Sequence, residues 1–280
     1  MSELNHEFLA ELILRALKED LGDAGDITSL GTIPEAQTGT AQIMSKEAGV
    51  IAGIEVAAEV FSALDPSLTI LAKKVDGDTV AKGDVILIVS GSTRSLLSAE
   101  RVALNFLRHM SGIATATSNL VDLVKETKTS VVCTRKTTPG LRALEKYAVR
   151  CGGGRNHRFG LYDAVLIKDN HIVACGSVTK ALQSAKHRAG HLVKIEVEVS
   201  SIEMLQEALA EGAEVIMLDN MTPAQVKEAV AIVAGRALTE ASGGITHETV
   251  RAYAEAGVDL ISVGWITHSA PNLDLSLDYV

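Results

Sequence analysis

The runs KIEVEV (194–199), VIML (215–218), ALTEA (237–241) and LISV (260–263) decide how this chain folds. Each is an apolar or alternating segment of strand length, and helical patterns separate them at 201–211, 223–234 and 246–256. The residues at the strand ends, Glu198, Asp219, Ser242 and Gly264, are 21, 23 and 22 positions apart (219 − 198, 242 − 219, 264 − 242). A near-constant step of one strand plus one helix predicts parallel strands joined by crossover helices, closing toward a barrel. Pro223 suits the first turn of its helix behind a Thr222 cap.

The rhythm extends upstream. Residues 130–134 and 164–167 read as strands, and 141–149 and 178–188 as helices. That makes six strands. The expected fold class is therefore α/β: a C-terminal parallel (β/α) barrel-like domain of fewer than eight strands over residues 114–270, preceded by an N-terminal α+β sandwich domain over residues 1–113.

The first domain opens on an amphipathic helix capped by Asn5, with Phe8, Leu9, Leu12, Ile13, Ala16 and Leu17 on one face. EDLGDAGDITS (19–29) reads as a turn-rich acidic loop. Short strands are expected at 39–45, 49–52, 68–74 and 85–90, and VDGDTVAKGDVILIV (75–89) reads as a hairpin. This segment is similar to the sandwich of biotinyl and lipoyl carriers. Neither Lys73–Lys74 nor Lys82 has the flanking motif of a modified lysine, so a shared shape without carrier function is the reading. A helix over 95–110 should end at Ser111-Gly112. Its Arg94, Arg101 and Arg108 repeat every seven residues, which by spacing alone describes a solvated face. The last ten residues, PNLDLSLDYV (271–280), are too short for another strand–helix unit and are expected to pack back on the first domain.

Hydrophobic residues make up 47% of the 280, enough for a substantial core. Aromatics are only 3%, which suits aliphatic strands under alanine-rich helices. A net charge of −9 argues against non-specific nucleic-acid binding, so any anion site must come from local clustering. No apolar run is long enough to span a bilayer. Cys133, Cys151 and Cys175 are odd in number and lack a CxxC pair, as expected of reduced thiols in a cytoplasmic protein.

Function in parallel barrels gathers at the C-terminal strand ends. Here those ends carry Arg135 and Lys136, then Lys168, Glu198, Asp219, Ser242-Gly243-Gly244 and Gly264. One such residue alone is a surface charge beside a loop; the succession points to one cleft. Arg135 and Arg158 can each grip a carboxylate bidentately, and His157 can act as donor or acid. Lys168 can be a point-charge anion binder or a Schiff-base nucleophile. Glu196 and Glu198 share the inward face by period two. Glu198 is the functional candidate, and Glu196 is expected to pair with an inward Lys or Arg, Lys194 being on its face. Glu198 and Asp219 can hold Mg²⁺ together with substrate phosphate oxygens. ASGGI (241–245) and VGWITHS (263–269) offer backbone N–H groups to a phosphate, and His268 can add a donor.

RKTTPGLR (135–142), GGGRNHRFGLYD (152–163), LIKDNH (166–171) and EVEV (196–199) occur together with SAERVALNFLRHMSGIAT (98–115). In that combination nearly the whole chain resembles the quinolinate phosphoribosyltransferase family. The resemblance implies transfer of phosphoribose from phosphoribosyl pyrophosphate to quinolinate with decarboxylation, using Mg²⁺. The products are nicotinate mononucleotide, pyrophosphate and CO₂, on the de novo route to NAD. By motif position, Thr134, Arg135, His157, Arg158 and Lys168 surround quinolinate, and Arg101 reaches in from the partner of a homodimer. Lys136, Glu198, Asp219, Ser242, Gly243, Gly244, Gly264 and His268 hold phosphoribosyl pyrophosphate. Glu198 and Asp219 face the metal, directly or through substrate or water, and share the catalytic role with Lys168. Trp265 stands where the pattern expects a small residue. Two rivals are a paralogous transferase-like protein of molybdate operons and a Schiff-base aldolase using Lys168.

Overall fold

In the computed structural model, which describes residues 4–280, helix α1 (His6–Leu21) starts where Asn5 Oδ1 accepts the Phe8 N–H at 3.0 Å. It buries Leu9, Ile13 and Leu17, one turn apart. Each such side chain contributes about 1.5–3 kcal/mol on leaving water. The acidic run read as a loop holds a second helix, α2 (Ile27–Thr32). Asp26 caps it by accepting the N–H groups of Thr28 and Ser29, and the Ser29 hydroxyl, then the Ser29 N–H, hold the Asp26 carboxyl below its usual range. A third helix, α3 (Ile54–Leu64), was not expected from the sequence.

Strands β1 (Thr38–Ser45), β3 (Thr69–Ala72), β5 (Val85–Ser92) and β12 (Leu275–Tyr279) form one antiparallel sheet ordered β12-β1-β5-β3. The C-terminal segment thus adds an edge strand along β1, from Ala41 opposite Tyr279 to Ser45 opposite Leu275. The expected 75–89 hairpin does not form. Strand β4 (Thr79–Val80) pairs instead with β2 (Gly49–Val50). Asp78 accepts the Val75 N–H and Asp84 the Ala81 N–H, so residues 75–84 are spent on two tight turns with two paired residues between them.

Helix α4 (Thr93–Val124) runs 32 residues, straight through the predicted stop at Ser111-Gly112. Ser111 Oγ accepts the Ala52 N–H at 3.0 Å, and a Cβ on Gly112 would overlap the Pro271 carbonyl oxygen. The glycine marks a close chain crossing rather than a helix end. Arg94 and Arg108 are not a solvated stripe: their Nε atoms donate to the carbonyls of Ile33 (2.8 Å) and Leu273 (3.3 Å). Helix α5 (Arg142–Cys151) follows strand β6 (Ser130–Val132) in sequence, yet most of it packs with these elements. His109 meets its buried Glu145 at 3.0 Å, and the Tyr147 hydroxyl donates to Asp76 at 2.8 Å.

By contact density the chain divides into two units. One comprises the residues up to Ser118 with 143–153 and 269–280; the other comprises 119–142 and 154–268. The second unit holds six parallel strands: β6 (Ser130–Val132), β7 (Val165–Ile167), β8 (Ile195–Val199), β9 (Val215–Asp219), β10 (Leu238–Ser242) and β11 (Leu260–Ser262). Their order is β6-β11-β10-β9-β8-β7. The first and last strands in sequence, β6 and β11, are neighbours, as in a (β/α) barrel, and β6 and β7 stand at the two ends of the order with a seam between them. At the seam Arg155 lies against β6, donating its N–H to Val131 O at 2.9 Å and accepting from Cys133 N–H at 3.1 Å. Helices α6 (Asp169–Cys175), α7 (Val178–Arg188), α8 (Ile202–Ala210), α9 (Pro223–Val233), α10 (Val250–Glu255) and α11 (Trp265–His268) follow the strands. Thr222 and Gln225 form a reciprocal capping box ahead of Pro223 at the start of α9.

Register fixes what faces inward. Leu166 is opposite Glu196, Glu198 opposite Met217, Met217 opposite Glu240, and Asp219 opposite Ser242. Residues in register face the same side, and residues two apart along a strand do too. Each strand therefore sends one residue into the barrel and a second to its rim: Leu166 then Lys168, Glu196 then Glu198, Met217 then Asp219, Glu240 then Ser242.

Candidate active site

At this rim lies a cavity of about 580 Å³ lined by Thr134, Arg135, Lys136, His157, Arg158, Lys168, Glu198, Asp219, Ser242, Gly243 and Gly244. Eleven of the sequence candidates thus meet in one space, joined by Leu166, Met217, Asn220, Glu240 and Ser262. The basic group comes from β6, the seam and β7. Asp219 and the Ser242-Gly243-Gly244 loop come from β9 and β10, which the strand order puts across the barrel from the seam.

Arg158 Nη1 donates to the Ala164 carbonyl at 3.0 Å, which fixes the side chain in the cavity wall. The Nε atoms of Arg158 and Arg135 are buried and have no hydrogen-bond partner. A buried N–H left unpaired in a cationic wall is an unfilled demand for an acceptor. Burial, and next the nearby Arg135 charge, push the Arg158 guanidinium below its usual range. A dianion arriving between them relieves both penalties. Lys168 donates from Nζ to Glu198 Oε2 at 2.9 Å. Its backbone N–H donates to His171 Nδ1 at 2.9 Å at the start of α6, so LIKDNH is a strand end and a helix cap at once.

Beneath these residues the structure corrects one expectation and adds a residue that sequence reasoning missed. Glu196 does not pair with Lys194, which is exposed and bound to Glu214 at 2.7 Å because it lies at the opposite strand end. Glu196 meets His157 Nε2 at 3.0 Å instead. The missed residue is Glu240, 2% exposed, with Oε1 3.8 Å from the same nitrogen. Burial first, then the Glu196 carboxylate, push Glu240 up to about 7, with His157 opposing. Glu240 sits two residues before Ser242, as Glu196 sits two before Glu198; that offset is the signal that could have found it.

His157, Glu196 and Glu240 have metal-ligand side chains, with donor atoms within 4.8 Å of one another. The histidine argues against an ion there. Its Nδ1 accepts the Arg158 N–H at 2.7 Å. A neutral ring then carries its hydrogen on Nε2, the atom a metal would need bare, whereas metal-bound histidines donate from the other nitrogen. The arrangement is a hydrogen-bonded support that fixes the Arg158 backbone from below.

On the far side, Asn220 adopts a left-handed conformation (φ 55°) and donates its backbone N–H to Ser242 O at 2.9 Å. Gly243 follows at φ 99°, and a Cβ there would overlap Asn220 Oδ1. Only glycine permits that approach. Gly264 and His268 are outside the cavity lining but adjoin it. A Cβ on Gly264 would lie 3.1 Å from Lys136 Cδ and 3.5 Å from both His268 Nε2 and Thr134 Oγ1. Trp265 does not disrupt this loop; its indole N–H donates to the Ile245 carbonyl at 3.2 Å and ties the two glycine loops together. Arg101 is not among the lining residues. It lies on α4 with its side chain 56% exposed, 3.6 Å from Glu100.

Family models for the quinolinate phosphoribosyl transferase N-terminal domain and C-terminal domain match residues 26–111 and 113–278. The chain is 48% identical to a probable carboxylating nicotinate-nucleotide pyrophosphorylase of Bacillus subtilis, covering 98% of this chain and 94% of that protein. It is 46% identical to the nicotinate-nucleotide pyrophosphorylase (carboxylating) of Mycobacterium leprae, with 99% of each covered. Among solved structures, NadC from Streptococcus pyogenes superposes with a TM-score of 0.95 at 42% identity over the full length of both chains.

Proposed function

Because the chain belongs to the quinolinate phosphoribosyl transferase family, we propose that the barrel cavity runs the family reaction as two half-sites. The protein is a phosphoribosyltransferase, a pentosyltransferase of NAD biosynthesis. It transfers phosphoribose from phosphoribosyl pyrophosphate to quinolinate with decarboxylation, and the products are nicotinate mononucleotide, pyrophosphate and CO₂. One observation carries the residue assignment: two unpartnered, buried arginine Nε atoms lie in the same cavity as Lys168, across from Asp219 and the glycine loop. A planar dicarboxylate answers the first group and a phosphorylated sugar the second.

In this reading Arg135, Arg158 and Lys168 grip quinolinate, Thr134 flanks it, and His157 fixes the loop beneath. Gly243, Gly244 and Ser242 receive the 5′-phosphate, with Gly264 and His268 beside Lys136. The ring nitrogen attacks the anomeric carbon as its bond to pyrophosphate breaks. Glu198 and Asp219 stabilise the positive charge that develops on the sugar, and Lys136 offsets the charge of the leaving group. The pyridinium then accepts the electron pair released as the 2-carboxylate leaves as CO₂. The resulting carbanion takes a proton from Lys168 or solvent.

Glu198 and Asp219 face the same side of adjacent strands, and two hard oxygen donors of that kind fit Mg²⁺ shared with pyrophosphate oxygens. When bound, the ion neutralises leaving-group charge. We further propose a cytoplasmic homodimer in which Arg101 completes the partner's quinolinate pocket; its exposure on α4 supports this.

Steady-state turnover with quinolinate and nicotinate as rival acceptors tests the reading. A pocket built for two carboxylates should favour quinolinate by on the order of 10⁴-fold in kcat/KM. Equal use of the two acceptors would sink it.

A further inference from the structure

Arg142 closes the RKTTPGLR run, and neither the motif reading nor the cavity lining gives it a role. Its guanidinium donates three hydrogen bonds: Nε to Thr137 Oγ1 at 2.9 Å, Nη2 to the Arg135 carbonyl at 3.3 Å, and Nη1 to the Phe159 carbonyl at 3.0 Å. The first two acceptors belong to the loop that presents Arg135 and Lys136. The third belongs to the loop that presents His157 and Arg158. That second loop is also held on its other side, where Asp163 accepts the N–H groups of Phe159 at 2.6 Å and Gly160 at 2.8 Å.

These loops flank the barrel seam, where β6 and β7 do not pair and a single bridge at Arg155 substitutes for a ladder. They also bear like charges. Arg135 is close enough to disfavour the charged Arg158 guanidinium, with the Glu196 and Asp163 carboxylates opposing it only in part. Repulsion across an unpaired seam would spread the loops. A guanidinium bound to the backbone carbonyls on both sides opposes that spreading and leaves the pocket side chains free for substrate.

We propose that Arg142 is a positioning residue that locks the Arg135 and Arg158 loops at the separation a vicinal aromatic dicarboxylate needs, without itself touching substrate. The proposal rests on the dicarboxylate reading of the pocket. Lysine is a poor replacement, because its three donors sit on one atom and do not reproduce the planar fork that reaches Thr137, Arg135 and Phe159.

The test compares Arg142→Met and Arg142→Lys with wild type in steady-state assays varying quinolinate and phosphoribosyl pyrophosphate separately. Circular dichroism melts run alongside. Displacing reacting groups by about 1 Å costs roughly 10²-fold in rate, so kcat/KM for quinolinate should fall by about that factor in both variants. KM for phosphoribosyl pyrophosphate should move far less, because Lys136 is the one residue of that half-site on a clamped loop and its carbonyl is held separately by the Thr267 hydroxyl at 2.8 Å. Arg142→Lys, which keeps charge and length, carries the test if Arg142→Met does not fold. A quinolinate kcat/KM equal to wild type in Arg142→Lys would overturn the clamp, and so would a parallel rise of both KM values. Wild-type enzyme that makes no nicotinate mononucleotide would instead overturn the underlying reading.

Discussion

Replacing Glu240 with Gln should change how stability depends on pH, by an amount the buried cluster sets. Glu240 is 2% exposed, has an oxygen without a hydrogen bond, and lies beside the Glu196 carboxylate. Burial, and then that neighbour, raise it from an ordinary 4.5 to about 7. Between those pH values the unfolded chain releases the Glu240 proton while the folded chain keeps it. The folded state then binds more protons, so stability falls as pH rises through this window. Below pH 4.5 both states are protonated and the contribution is flat. Above about pH 7 the full penalty of a buried charge is present. At roughly 1.4 kcal/mol per pH unit, the interval amounts to about 3 kcal/mol. Glutamine keeps the shape and removes the ionisation. Urea unfolding of both proteins at pH 5 and pH 8 should show Glu240→Gln gaining about 3 kcal/mol relative to wild type between the two pH values. Parallel profiles would refute the reasoning, since Glu240 would then ionise alike in both states.

Three other outcomes follow from the same geometry. Arg135→Ala and Lys168→Ala should each lower kcat/KM for quinolinate by roughly 10²-fold or more with the fold intact, since each strips a charge from a desolvated anion pocket; near-wild-type kinetics in either would remove it from the pocket. Mixing Arg101→Ala with Lys168→Ala enzyme should recover up to about a quarter of wild-type activity, because a two-fold dimer of the two variants carries one intact site. Demonstrated subunit exchange without recovery would rule out a shared site. Gly243→Ala forces a side chain into a left-handed position against Asn220, so it should raise KM for phosphoribosyl pyrophosphate and cost about 1–3 kcal/mol of stability, read by kinetics and thermal melting.

The barrel was legible because its strands repeat at a fixed step, and period-two alternation placed Glu196 and Glu198 on its inner face. The rim candidates were found because charge at a strand end stands out against aliphatic neighbours. What lay one layer deeper did not. Glu240 follows Thr239 in a segment with no apolar alternation to mark its face, and its partners His157 and Glu196 come from a distant loop and another strand. Arg142 escaped notice because its work is done on backbone carbonyls, which no residue pattern displays. In the first unit, Gly112 looked like a helix stop because local propensity favours one, and the close passage of Pro271 overrode it. The 75–89 run looked like a hairpin because Gly-Asp turns are its strongest local signal, and strand partners from elsewhere in the chain decided otherwise.

The central claim is that one cavity binds a dicarboxylate and a phosphorylated sugar and joins them with loss of a carboxylate. Product stoichiometry tests it most directly, using quinolinate labelled in the 2-carboxylate together with phosphoribosyl pyrophosphate and Mg²⁺. Wild type should yield nicotinate mononucleotide, pyrophosphate and labelled CO₂ in equal amounts, and Arg135→Ala almost none. A nucleotide product that retains the label, or equal turnover in Arg135→Ala, would contradict it.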